Sequence, residues 1–173
     1  MHLLLVLLTS LSLYSHSSSL GDSQQSDSLR ASAHKSLGGI DVIALITADR
    51  EVFKKWGNPE MPNIATSTRF KRGDHAIPVI VFAFTSDLPS PYPKLTYNVL
   101  ISKPDSGIYG KFDNLSVFPG GSAQPRVMYI VNQPIDIGLE KRDPLGVYRV
   151  WIEIKANDKP LMTFSDLCFR VVE

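Results

Sequence analysis

Asp143-Pro144-Leu145-Gly146-Val147-Tyr148-Arg149-Val150-Trp151-Ile152-Glu153-Ile154-Lys155 opens with turn chemistry and continues in period two. Tyr148, Val150, Ile152 and Ile154 point one way; Val147, Arg149, Trp151, Glu153 and Lys155 point the other. One side is apolar and the other mixed and charged, so one face is buried and the other wet. A strand of an antiparallel sheet packed on one side reads this way.

The same grammar extends in both directions. Asn157-Asp158-Lys159-Pro160 makes a turn into a final strand whose phase changes. Met162 and Phe164 lie on one parity; Leu167, Phe169 and Val171 lie on the other. A one-residue bulge at Ser165-Asp166 brings both halves onto the core. Upstream, Ile135-Ile137-Leu139, Val127-Tyr129-Val131, Ile108 to Phe112 and Leu95-Tyr97-Val99-Ile101 give further short strands. His75 to Thr85 is a continuous apolar run, read as a central strand with a bulge or a strand start at Pro78. Thr66 to Phe70 is an edge strand, and Ile40 to Thr47 is a strand covered on both faces. Between those two lies one short helix with Asp49 as N-cap, Val52, Phe53 and Trp56 as its apolar stripe, and Gly57 and Pro59 at its end. Strands at this spacing with almost no helix predict an all-β, antiparallel two-sheet sandwich with one short N-terminal helix.

The N-terminal segment follows different rules. Leu3 to Leu13 is apolar but shorter than the roughly 20 residues that cross a bilayer, and Ser17 and Ser19 are placed for cleavage after Ser19. Residues 1–19 read as a secretory signal, although no Lys or Arg precedes the apolar run; a retained membrane anchor is the alternative. Residues 20–36, rich in Ser, Gln and Asp, read as a flexible tether, and residues 37–173 as the folded domain.

Gly146-Val147-Tyr148-Arg149-Val150 is similar to the strand-F signature of immunoglobulin-like domains, in which the hydroxyl of a corner tyrosine bonds to the chain upstream. Tyr148 matches the corner position, and Val150 stands where antibody-type domains have their second cysteine. The chain as a whole resembles small exported bacterial proteins carrying one immunoglobulin-like domain behind a signal peptide. That resemblance implies an immunoglobulin-like sandwich in a periplasm or outside the cell.

Chemistry is sparse. The chain has 18 basic and 17 acidic residues, a formal charge of +1, which provides no field for nucleic acid. One cysteine, Cys168, excludes an intramolecular disulfide and reads as a buried, inert thiol. Of four histidines only His75 lies in the predicted domain, so no conventional zinc set and no metal or cofactor site is expected. Asp136, Glu140 and Glu153 alternate outward with polar neighbours and read as solvated. A hydrolase centred on His75 would need a serine or acid beside it; Gly120-Gly121-Ser122 forms no nucleophile elbow and reads as a loop. No catalytic residue is assigned. For binding, Trp151 falls on the polar parity beside Arg149, and Arg69, Lys71, Arg72 and His75 form a basic hairpin tip. Trp151 covered by the helix or a loop, and a plainly solvated tip, are the structural alternatives. Tyr92 in its proline loop is a further binding candidate, with ordinary loop packing as the equal alternative. The expectation is a non-enzymatic module, periplasmic or secreted, acting through contacts with a protein partner. A carbohydrate partner using Trp151 is the alternative; nucleic acid and a membrane span after signal cleavage are not expected.

Overall fold

The computed structural model describes residues 28–56, 63–85, 94–117, 124 and 126–173. The signal segment 1–19, the tether up to residue 27, most of both proline-rich loops with Gly57, Pro59 and Tyr92, and Gly120-Gly121-Ser122 lie outside these residues.

Ten strands and one helical turn make up the described chain. They are β1 (Ser32–Leu37), β2 (Ile40–Thr47), α1 (Val52–Lys55), β3 (Arg69–Lys71), β4 (His75–Phe84), β5 (Leu95–Ser102), β6 (Ile108–Ser116), β7 (Met128–Ile130), β8 (Ile137–Gly138), β9 (Gly146–Ala156) and β10 (Lys159–Val172). The first sheet runs β1-β2-β4-β7, with β8 paired to the start of β4; the second runs β3-β10-β9-β5-β6. The fold is all-β, as the periodicity predicts. The expectation of purely antiparallel sheets needs one correction, because β3 lies parallel to β10, with Arg69 opposite Arg170 and Lys71 opposite Val172. The edge strand expected at Thr66–Phe70 forms one residue later at its C-terminal end and is shorter.

One core fills the space between the sheets. Ile40, Val42, Ala44 and Ile46 of β2 and Ile80, Phe82 and Phe84 of β4 meet Tyr97, Val99 and Ile101 of β5. Tyr148, Val150, Ile152 and Ile154 of β9 complete it with Phe164, Leu167, Phe169 and Val171 of β10. Each large side chain buried here contributes on the order of 1.5–3 kcal/mol. The apolar residues on the opposite parity of β2 and β4 are explained by a second cluster. Leu45, Ile77, Val79 and Val81 are covered by Val52 and Phe53 from α1, by Trp56 just after it and by Ile64. The helix therefore packs on the outside of the first sheet. Its N-cap is Glu51, not Asp49; the Asp49 carboxylate instead accepts the Glu51 N–H at 2.9 Å and pairs with Lys55.

Two sequence irregularities resolve differently. In the middle of β10, Phe164 faces Ile152 and Leu167 faces Val150. Three steps on β10 match two on β9, which is the one-residue bulge that the parity change predicts. Pro78 produces no bulge: β4 begins three residues earlier and its register with β2 is unbroken from Ile40–Phe84 to Thr47–Ile77. The reason lies opposite. Ile46, the partner of Pro78, sends its N–H to the Ala31 carbonyl and accepts from the Ser67 N–H. That cross-strand pair therefore exchanges no ladder bond, and the missing proline N–H costs nothing there.

The folded region also starts earlier than residue 37. Residues 32–36, expected in the tether, form β1, paired from Ser32–Leu45 to Leu37–Ile40. Ala31 is buried, the Cys168 N–H donates to the Arg30 carbonyl at 2.9 Å, and Lys35 donates to the Thr163 carbonyl while lying 5.4 Å from the Phe164 ring centroid. Residues 30–35 thus stitch the edge of the first sheet to β10.

Candidate functional site

The outer face of the second sheet gathers most of the side chains singled out by the sequence. On β9 the inward set is Tyr148, Val150, Ile152 and Ile154, so Arg149 and Trp151 stand on the outer side. On β10 beyond the bulge, Leu167, Phe169 and Val171 are inward, so Cys168 and Arg170 alternate outward. On β3 Phe70 is inward, which turns Arg69 and Lys71 out. Register then aligns them: Arg69 beside Arg170, Val147 beside Arg170, Arg149 beside Cys168, and Trp151 beside Leu100. The result is a basic face across three strands with an aromatic at one end.

Exposure and partners differ along it. Arg69, Lys71 and Arg149 are exposed, while Trp151 and Arg170 are half-buried. The Arg170 Nε atom is buried without a hydrogen-bond partner. Among the described residues no ion pair involves Arg69, Lys71 or Arg170, and the nearby acids serve other groups. Glu153 accepts from the Asn98 side chain at 2.9 Å, Asp166 pairs with Arg30, Glu173 lies 3.8 Å from Arg72, and the Asp74 carboxylate accepts the Lys71 backbone N–H at 2.7 Å. The helix α1 does not cover Trp151, since it packs on the other sheet. Cys168 is buried, with its Sγ accepting the Arg30 N–H at 3.4 Å.

Arg72 does not join this face. Its Nε and Nη2 donate to the Asp143 carbonyl at 2.9 and 2.7 Å, which anchors the loop before β9. In that loop the buried Asp143 carboxylate accepts from the Tyr109 hydroxyl at 2.8 Å and the Glu140 N–H at 2.6 Å. The Tyr148 hydroxyl donates to the Pro144 carbonyl at 3.0 Å. Burial pushes the Tyr148 phenol up to about 12, with the Asp143 charge adding to it. Tyr109 is also raised, by burial and then by its bond to Asp143. The contacts of this network all lie within the fold and hold the turn.

His75 is not isolated, and Asp136 is not simply solvated. His75 Nδ1 lies 2.6 Å from Asp136 Oδ1, and Arg50 Nη2 lies 3.1 Å from Asp136 Oδ2. Arg50 and Asp136, but not His75, line a cleft of about 480 Å³ over Phe53, Ile77 and Pro134. No serine among the described residues hydrogen-bonds to His75. Lys54 and Lys55, near the basic tip in sequence, are paired with Glu51 and Asp49 on the outside of the first sheet. No group of three or more His, Cys, Asp or Glu among the described residues is placed to hold a metal ion. No described helix is long and apolar enough to cross a membrane.

Sequence reasoning missed Arg170 and the His75–Asp136–Arg50 group. Arg170 was legible in principle, flanked by inward Phe169 and Val171. Asp136 lies 61 positions from His75, and nothing local signals their meeting.

No protein-family model matches the chain, and no curated protein matches it. Solved structures that resemble it are of mixed kinds. The C-terminal domain of wzt is 12% identical with a TM-score of 0.47, over 82% of this chain and 78% of that one. A Niemann-Pick type C2 protein from the Japanese carpenter ant is 7% identical with a TM-score of 0.42, over 83% and 95%. An alkylpurine DNA glycosylase from Pseudomonas fluorescens is 13% identical with a TM-score of 0.38, over 61% of this chain; the chain spans 28% of that protein.

Proposed function

We propose that the chain is an exported, non-enzymatic immunoglobulin-like module that acts through protein contacts made by the outer face of its second sheet. The observation that carries this reading is the alignment of Arg69, Lys71, Arg149 and Trp151 on one side of the same sheet. Tryptophan and arginine are the side chains that most often dominate protein interfaces. Support for the immunoglobulin-like class comes from strand order. β10-β9-β5-β6 stand as G-F-C-C′ and β2-β4-β7 as A-B-E of such a domain. The Tyr148 bond to the Pro144 carbonyl has the geometry of a tyrosine corner, two residues before Val150. Glycan stacking needs an open aromatic face, and Trp151 is half-buried beside Leu100, so a protein partner is the better fit. Export rests on the apolar run Leu3–Leu13 and the small residues after it, and places the module in a periplasm or outside the cell.

The test is affinity capture from an envelope fraction under mild crosslinking, using the wild-type chain and a Trp151→Ala, Arg149→Ala double variant. A specific partner should be enriched by the wild type and lost with the variant. No enrichment, or equal enrichment by both proteins, would overturn the reading.

A second reading, hydrolysis centred on His75, is favoured by the 2.6 Å contact with Asp136 beside a cleft. A carboxylate orients an imidazole in general-base catalysis. Turnover of p-nitrophenyl esters that disappears in His75→Ala would support it; equal rates in both proteins would end it.

A further inference from the structure

We infer that the Arg69–Arg170 pair, with Lys71 beside it, is a receptor for carboxylates presented by an acidic segment of a protein partner. The inference rests on the outer face of the second sheet being the contact surface, and it supplies the chemistry of what binds there. Arg69 and Arg170 sit opposite each other in register on β3 and β10, on the same face. Like charges directly opposite in a sheet are destabilising. Here the repulsion is not relieved internally, because among the described residues no carboxylate pairs with Arg69, Arg170 or Lys71. The cost is compounded at Arg170, whose buried Nε lacks a hydrogen-bond acceptor. A carboxylate approaching the outer nitrogens of the two guanidinium groups from solvent cancels the repulsion. Planar guanidinium groups take carboxylates in this way, by two parallel N–H···O bonds.

The mode of binding follows from the strand edge. β3 is the last strand of its sheet, and an open edge invites a partner to add a strand. That route is obstructed by the protein's own side chains. The Lys71 N–H is taken by Asp74 at 2.7 Å and the Arg69 carbonyl by the Ser67 hydroxyl at 3.0 Å. Recognition therefore runs through side chains on the face. Trp151, four residues along β9 from the position beside Arg170, and Leu100 on β5 add an apolar surface further along the same face. The occupant that fits is a protein segment carrying carboxylates and, several residues away, a bulky apolar side chain.

The probe is a synthetic dodecapeptide of glutamates interspersed with leucines, titrated into the full chain. The controls are the same peptide with lysine for glutamate, a sulfated oligosaccharide and phosphatidylglycerol vesicles. The glutamate peptide should bind with an affinity that falls with salt, and Arg69→Glu with Lys71→Glu should weaken it by at least about tenfold. The repulsion has its own readout: Arg69→Glu alone should raise the Tm by about 1–3 °C, since it turns a like-charged pair into an opposite one. Absence of peptide binding, equal affinity in the double variant, binding of the oligosaccharide or vesicles in place of the peptide, or a Tm that does not rise would each overturn the inference. If envelope capture survives Arg69→Glu with Lys71→Glu but fails with Trp151→Ala and Arg149→Ala, the contact surface stands and only its acidic partner falls.

Discussion

Tyr148 shows how much one hydroxyl can organise. Its ring stacks on Phe169 at 5.3 Å and meets Tyr109 edge-on at 5.4 Å, while its hydroxyl holds the Pro144 carbonyl at 3.0 Å. Gly146, two positions earlier, has φ +131, and a Cβ there would lie 2.9 Å from Pro104. The backbone is therefore bent sharply into β9, and the phenol ties down the loop before the bend. Tyr148→Phe keeps the packing but strands a carbonyl, and should cost about 1–2 kcal/mol in urea unfolding at neutral pH. The raised phenols add a pH signature. Tyr148 moves from an unfolded value of 10.0 to about 12, and Tyr97 and Tyr109 are raised as well. A group with a folded value above its unfolded one keeps its full contribution below the unfolded value and loses it as pH rises through the folded one. Stability should hold below about pH 10 and decline from there toward pH 12, less steeply in Tyr148→Phe. A stability flat across that window, or an unchanged slope in the variant, would contradict this assignment. The same tyrosine was legible in the sequence because its signature is local, a glycine two residues before it and apolar alternation after it. Asp136 and Arg50 were not, because their partnership with His75 depends on where β8 and the α1 turn land.

At the scale of one strand, β10 carries the most instructive arithmetic. Side-chain parity is fixed by covalent geometry, so the phase change between Phe164 and Leu167 was readable without knowing the partner strand. The parallel partner β3 was not, since pairing between residues about a hundred positions apart leaves no trace in either segment. The bulge consists of Ser165 and Asp166, both exposed, with Phe164 and Leu167 fully buried on either side. Deleting Asp166 leaves Phe164 inward, Ser165 outward and Leu167 inward, matching β9 step for step. The fold should survive that deletion, losing the Arg30 contact and little else, with a Tm within a few degrees of wild type. Deleting Cys168 two residues later should abolish folding. It would turn Phe169 and Val171 to solvent and drive Arg170 into the core, where an unpaired charge is costly. Circular dichroism melts of the two deletions distinguish a bulge from an ordinary stretch of strand. Equal damage from both would mean that the extra residue is structurally required.

For the whole molecule, the question is where the folded unit begins. The strand β1, Ser32-Ala33-His34-Lys35-Ser36-Leu37, is largely exposed on both faces, which is why its composition read as tether. Hydrophobic patterning reports burial, and an edge strand held mainly by its backbone buries little. Its contribution lies in closure. It covers the edge of β2, whose Ile46 N–H it satisfies through Ala31, and with Arg30 it reaches the Cys168 N–H on the other sheet. A chain starting at Ser28 keeps all of these bonds, while one starting at Gly38 loses them. In the shorter chain the β2 edge is unpaired and flanked by apolar Ile40, Val42, Ala44 and Ile46, a template for strand addition by a second copy. Size-exclusion chromatography with light scattering should show oligomers for the chain starting at Gly38 and monomers for the one starting at Ser28, together with a lower Tm for the former. Indistinguishable elution and melting of the two truncations would mean that residues 28–37 only decorate the sheet, and that the first sheet is complete with β2 as its edge.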